Sequence, residues 1–171
     1  MITGLITSDT LVFFKAKLAD IKFIMGIENE DDNKKYIIPY SRKRHVQEIK
    51  NRNNLYIIIQ SKQISKPLGF IILSGIKDEN KSIEFKRIVI AVKNKGYGKE
   101  SIKLIKDFCF KKLKCHKLWL DVFDDNERAI NLYKSQNFTL DGKLRDCIKQ
   151  GDKFRSLLLF SILEKEFIAS Q

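Results

Sequence analysis

The chain has 171 residues, 43% hydrophobic and 32% charged, long enough to bury a core without disulfides and too apolar for a disordered segment. Its 33 basic and 21 acidic residues leave a formal charge of +12, which favours anionic partners such as nucleic acid, acidic membranes or phosphate-bearing cofactors. No apolar run reaches the ~18–20 residues of a membrane helix, and residues 1–9 show no basic segment followed by an apolar core, so no secretory leader is expected. Cys109, Cys115 and Cys147 lack metal-ligand spacing, so a metal-free, cytoplasmic protein with one domain over residues 1–171 is expected.

Residues 11–15 are apolar and β-branched or aromatic, which predicts a first strand. Apolar residues then recur at helical spacing over 18–28, followed by the acid-rich stretch Glu28, Glu30, Asp31, Asp32 and then Tyr36 and Tyr40. Ser41 predicts the N-cap of a second helix reaching about Asn51, with Val46 and Ile49 inward and His45 on the surface. Strands follow at 55–60, 67–74 and 84–92, then a helix over 98–113. A strand at 118–123, a helix at 126–136 and strands at 138–144 and 154–163 complete the order. The first half reads as antiparallel, and the strand–helix alternation of the second half predicts parallel crossovers. The expected fold is α/β: a mixed, mostly antiparallel sheet of about six or seven strands with helices on both faces.

The segment from Ile88, Val89 and Ile90 through Lys93, Lys95, Gly96, Tyr97, Gly98, Lys99 and Glu100 runs from a buried strand into a helix. Glycine permits backbone geometry and close approach that a Cβ blocks. The first N–H groups of a helix have no intrahelical partner and carry the positive end of its dipole, so such a turn is an anion site. Three lysines add positive potential. The pattern is neither a P-loop nor a complete dinucleotide fingerprint.

The arrangement strand, Lys93-x-x-Gly96-x-Gly98, helix resembles the R/Q-x-x-G-x-G/A acetyl-CoA motif of the GNAT superfamily. Further on, Asn126-x-x-Ala129-x-x-Leu132-Tyr133-x-x-x-Asn137-Phe138 resembles that superfamily's second motif, N-x-x-A-x-x-L-Y-x-x-x-G-F. The tail places the resemblance nearest the branch of ribosomal-protein N-terminal and spermidine N-acetyltransferases. Lys93 departs from the usual Arg or Gln, and Asn137 from the usual Gly.

The resemblance implies an acetyl-CoA-dependent N-acetyltransferase acting on a small amine, polyamine or peptide N-terminus. It implies that the Tyr133 hydroxyl protonates the leaving thiolate, that Asn126 contacts the pantetheine arm and that Ala129 leaves it room. A lysine-like amine, reference pKa ~10.4, is neutral in only about one molecule in a thousand near pH 7, so a base is useful. Glu84 is a candidate, because alternation puts it on one face with Lys86, Ile88 and Ile90. Tyr36, Tyr40 or His45 lining the acceptor site remain alternatives, and the acids Glu28 and Glu30 are placed to attract a cationic acceptor. Main-chain N–H groups near Val89 and Ile90 are placed to polarise the carbonyl if a bulge splays the strand. Family habit suggests a homodimer. Two other readings stay open: a sensor that binds acyl-CoA without catalysis, and a basic nucleic-acid-binding domain, the latter without a recognisable motif.

Overall fold

The computed structural model describes residues 4–171; residues 1–3, part of the stretch read for a leader, lie outside the described residues. Eight strands form one sheet: β1 (Ile6–Thr7), β2 (Leu11–Lys15), β3 (Asn54–Ser61), β4 (Pro67–Ser74), β5 (Ser82–Ile90), β6 (Lys117–Phe123), β7 (Thr139–Gln150) and β8 (Lys153–Leu163). Their spatial order is β1-β2-β3-β4-β5-β6-β8-β7. Every neighbouring pair is antiparallel except β5 and β6. The expected parallel crossovers in the second half therefore reduce to one, because β8 returns between β6 and β7.

Strand β3 is continuously apolar because both of its faces are covered. Leu55, Ile57 and Ile59 join a core with Phe85, Ile102, Leu118 and Phe160. Tyr56 and Ile58 join the opposite core with Ile24, Ile27, Phe70, Ile72 and Val89. The first core lies under α4 (Tyr97–Asp107), α5 (Glu127–Ser135) and α6 (Glu164–Ala169). The second lies under α1 (Ile21–Glu28), with α2 (Asp31–Lys34) and α3 (Arg42–Lys50) beside it.

Local sequence accounts for most helix boundaries. The Ser41 hydroxyl accepts the Arg44 N–H at 3.2 Å and caps α3. Asn137 adopts φ 64° after α5, and the Phe138 N–H closes back on the Tyr133 carbonyl at 3.1 Å, so asparagine fills the left-handed position that usually takes glycine. Gly69 on β4 is a packing requirement: a Cβ there would lie 2.1 Å from the Val89 carbonyl oxygen.

Two further expectations fail. His45, expected on the surface of α3, is fully buried; Ile49 packs against the second core as expected, and Val46 is half-buried. Strand β7 continues past Leu144 to Gln150 as a ribbon with β8 that is mostly exposed.

Candidate acyl-transfer site

β5 ends at Ile90 and the chain turns through Asn94 (φ 60°) and Gly96 (φ 80°), the latter capping α4. The first closed helical hydrogen bond is from the Glu100 N–H to the Gly96 carbonyl at 3.1 Å. Among the described residues, the N–H groups of Gly96, Tyr97, Gly98 and Lys99 have no partner. Nothing lies within 4 Å of where a Gly96 Cβ would sit. Lys95 and Lys99 are exposed beside them. Arg128, on the first turn of α5, donates to Asn94 Oδ1 at 3.1 Å and adds a cation.

Two residues of this turn are placed differently from expectation. Glu100 does not face the anion site: its N–H is consumed in the helix, and its carboxylate accepts from the Ser8 and Thr10 hydroxyls at 2.5 to 2.7 Å. The Lys93 ammonium turns to α2, donating to Asn33 Oδ1 at 2.8 Å.

Next to this turn the sheet opens. β5 and β6 pair only over Ser82–Ile83–Glu84 against Lys117–Leu118–Trp119, so residues 85–90 have no strand on that side. The Ala91 N–H donates to Leu68 on the β4 side at 2.7 Å, and alternation turns the N–H groups of Ile88 and Ile90 toward the opening. The splay expected of a bulge is present. Ile72 pairs with Arg87 but Leu73 with Phe85, which leaves Lys86 as the extra residue.

That bulge corrects the face assigned to Glu84. Ile83 and Phe85 before it, and Ile90 after it, share the α4 core, whereas Val89 belongs to the opposite core. Glu84 therefore lies on the face of Val89 and Arg87, not on that of Ile88 and Ile90. Asp121 joins it there, since its β6 neighbours Leu120 and Val122 point into the α4 core. Burial raises the Glu84 pKa; the Lys86 ammonium, 3.7 Å away, opposes this and the Asp121 charge adds to it. Asp121 keeps solvent contact, yet partial desolvation raises its pKa against the charges of Lys86 and Arg87.

Tyr133 is 8% exposed, its ring edge-on to Phe138 with centroids 5.8 Å apart. Its hydroxyl makes no hydrogen bond with a described residue, and it is not sealed: Ser101 Oγ alone among the described side-chain polar atoms is buried without a partner. Burial, then the Asp121 charge, raises the phenol well above the ordinary tyrosine range. Asn126 caps α5, its Oδ1 accepting the Ala129 N–H at 3.2 Å, which leaves its amide nitrogen free to donate.

The acceptor-side residues divide. Glu30 is exposed, accepting from Asn33 Nδ2 at 3.3 Å, and Tyr36 is half-buried with the Arg155 guanidinium 5.9 Å from its ring centroid. Glu28 is not a loop carboxylate: it ends α1 with no exposed surface, bonded to His45 and Arg87. Tyr40 is buried against the guanidinium groups of Arg44 and Arg87. Neither is free to line an acceptor site.

Residues 22–138 match the sequence profile described as the acetyltransferase (GNAT) family. The chain belongs to that family. Curated relatives include the spermidine N(1)-acetyltransferase of Escherichia coli (strain K12), 28% identical over 59% of this chain and 55% of that protein. The chain thus aligns with about half the length of that first relative. The spermidine N(1)-acetyltransferase of Vibrio cholerae is 24% identical over 87% of this chain and 90% of its own length. Acetyltransferase PseH of Campylobacter jejuni is 29% identical over 83% and 79%. The crystal structure of the Vibrio cholerae spermidine N-acetyltransferase with CoA and spermine superposes with a TM-score of 0.83 at 22% identity, covering 94% of this chain and 99% of that one.

Two residues beside this candidate site escaped the sequence: Arg128 and Asp121. Arg128 occupies an unspecified position of the second motif. Asp121 had a usable signal, a lone carboxylate between two apolar strand residues.

Proposed function

We propose that this chain transfers the acetyl group of acetyl-CoA to a primary amine, which attacks the thioester directly. One observation carries this: open N–H donors at the start of α4 follow the strand that splays from β6, and the unbonded Tyr133 hydroxyl feels the charge of Asp121 on β6. A Cβ-free cradle of unpaired donors flanked by Lys95, Lys99 and Arg128 fits a diphosphate. Acetyl-CoA supplies an activated acyl group, so no covalent enzyme intermediate is needed. The N–H groups of Ile88 and Ile90 are placed to bind a carbonyl oxygen as it gains charge. Glu84 and Asp121 attract an ammonium ion and one of them takes its first proton. As nitrogen bonds to the carbonyl carbon and the carbon–sulfur bond breaks, the Tyr133 hydroxyl protonates the sulfur and regains a proton from the nitrogen, which leaves the amide.

Among amines, a polyamine is the acceptor that the names of the relatives support, and the paired carboxylates suit it. A peptide N-terminus meets the same chemical requirement. A cytoplasmic location is part of the proposal.

The test is acetyl-CoA-dependent thiol release across polyamines, amino acids, aminoglycosides and N-terminal peptides, with melting followed alongside. Acetyl-CoA at a hundred times its Kd is expected to add about 2.7 kcal/mol, or roughly 5–10 °C in Tm for a chain of this size. A Tm shift with no thiol release on any amine would convert the enzyme into a sensor. Salt-sensitive RNA binding with no response to CoA would replace both.

The proposal includes self-association through β7. This edge strand and its hairpin expose Leu140, Leu144 and Phe154 at 49%, 45% and 60%, and an unpaired edge invites a second strand. One related structure is described as dodecameric, that of the Vibrio cholerae enzyme. Light scattering is expected to give a multiple of the 20.0 kDa chain, reduced to monomer by Leu144→Glu with Phe154→Glu. A monomeric wild type removes the surface from consideration.

A further inference from the structure

A cluster of buried polar groups on the α1 face has no part in the chemistry above. Glu28 is its centre. A carboxylate at the last residue of a helix meets the negative end of the dipole, and here it is also without exposed surface. Three donors hold it: His45 Nε2 at 2.9 Å, the Tyr40 main-chain N–H at 3.3 Å, and Arg87 Nη1. Burial pushes the Glu28 pKa up, but the His45 hydrogen bond and the Arg87 charge outweigh it and keep the carboxyl below its ordinary range. His45 Nδ1 lies 3.3 Å from the Tyr56 hydroxyl, and Arg87 Nη2 donates to the Ile38 carbonyl at 3.1 Å.

The cluster ties α1, the segment before α3, α3 itself, β3 and β5 to one carboxylate. Buried ion pairs are a poor source of stability, since well-packed apolar groups often do as well. The position of Arg87 suggests another use. It is the first residue after the bulge residue Lys86, and that bulge decides which face Glu84 occupies. A bulge interrupts its own ladder, so the strand there needs a hold from outside the sheet. Arg87, gripped at Glu28 and Ile38, provides one.

We propose that Glu28 is a positioning residue for acetyl transfer: by fixing Arg87 it holds the β5 bulge in the register that turns Glu84 to the acceptor face beside Asp121, and it balances the Arg87 charge. This rests on the acetyltransferase reading for its kinetic consequences, though not for its structural ones. The charged and titratable groups facing Asp121 are Glu84, Lys86 and Arg87 from β5 and Tyr133 from α5. Its β8 partner, Leu159, carries no charge.

The experiment compares wild type with Glu28→Gln and with Glu28→Gln/Arg87→Met. It follows kcat and KM with acetyl-CoA and spermidine across pH, and amide exchange by mass spectrometry. Glu28→Gln is expected to lower kcat about tenfold with the KM for acetyl-CoA unchanged. The acid limb of the pH profile moves to lower pH, because the unbalanced Arg87 charge favours ionised Asp121. Removing Arg87 as well returns the limb toward its original position. Exchange over residues 85–90 rises while that of Ile57–Ile59 does not. If Glu28→Gln does not fold, Glu28→Asp keeps the charge but retracts it by one methylene: kcat falls and exchange over residues 85–90 rises, while the acid limb stays in place. A lower Tm with unaltered kcat, acid limb and β5 exchange overturns the inference. Should the wild type acetylate no amine, the acetyltransferase reading falls, and the exchange data alone decide whether Glu28 holds the bulge.

Discussion

Tyr133→Phe is expected to lower kcat by about a hundredfold or more, the usual scale of a lost general acid, while the Kd of acetyl-CoA stays within about twofold. The phenol is suited to give up a proton only as a bond breaks. Burial and the Asp121 charge keep it protonated well beyond the ordinary tyrosine range, so it is a donor at every pH an assay would use. Its hydroxyl has no competing partner among the described residues, and its ring is held against Phe138. Phenylalanine keeps that packing, so Tm is expected to change little. An interaction made only in the transition state lowers kcat and kcat/KM together, whereas a packing defect would appear in Tm and cofactor affinity. Steady-state kinetics and calorimetric titration with CoA separate the two. Wild-type kcat in the variant would remove the tyrosine from the mechanism.

The features of this site readable in the sequence are those fixed by neighbours along the chain. Gly96 at positive φ, the open helix start and the placement of Tyr133 on the same face of α5 as Ala129 all follow from short-range geometry. The acid Glu28 was misread because its partners are remote: His45 lies 17 residues and Arg87 59 residues away, and the same Arg87 covers Tyr40. Local composition gives an acid-rich stretch; only the tertiary fold shows that its first member is buried and its remainder exposed. The bulge left a fainter trace. Apolar residues occupy 83 and 85, then 88 and 90, a change of phase at Lys86 and Arg87 that a strict alternation passes over. β7 was cut short at Leu144 because its last residues form a ribbon without a core, and a strand with no buried face shows no alternation.

The second large effect is expected from removing both carboxylates of the acceptor face. Glu84→Gln with Asp121→Asn should reduce kcat about a thousandfold near pH 7, within the range attributed to a positioned base, and should abolish the acid limb of the profile. The single variants assign the roles: the base is the residue whose loss removes the limb, and its neighbour only shifts it. Stability should move the opposite way. Both groups have pKa values raised by folding above ordinary values of 4.5 and 3.8, so the folded state binds their protons more tightly than the unfolded chain does. Their ionisation costs nothing below those ordinary values and destabilises increasingly as pH rises through the folded ones. The double variant should therefore melt above wild type at pH 7, with the difference vanishing near pH 4. Glu28 has the opposite sign: its lowered pKa supplies stability at neutral pH that is lost as pH falls below 4.5. A carboxylate held down by His45 and Arg87 serves the architecture, and two held up by their surroundings are poised to take a proton. Equal Tm for wild type and double variant at pH 7, with activity intact, would place the base elsewhere.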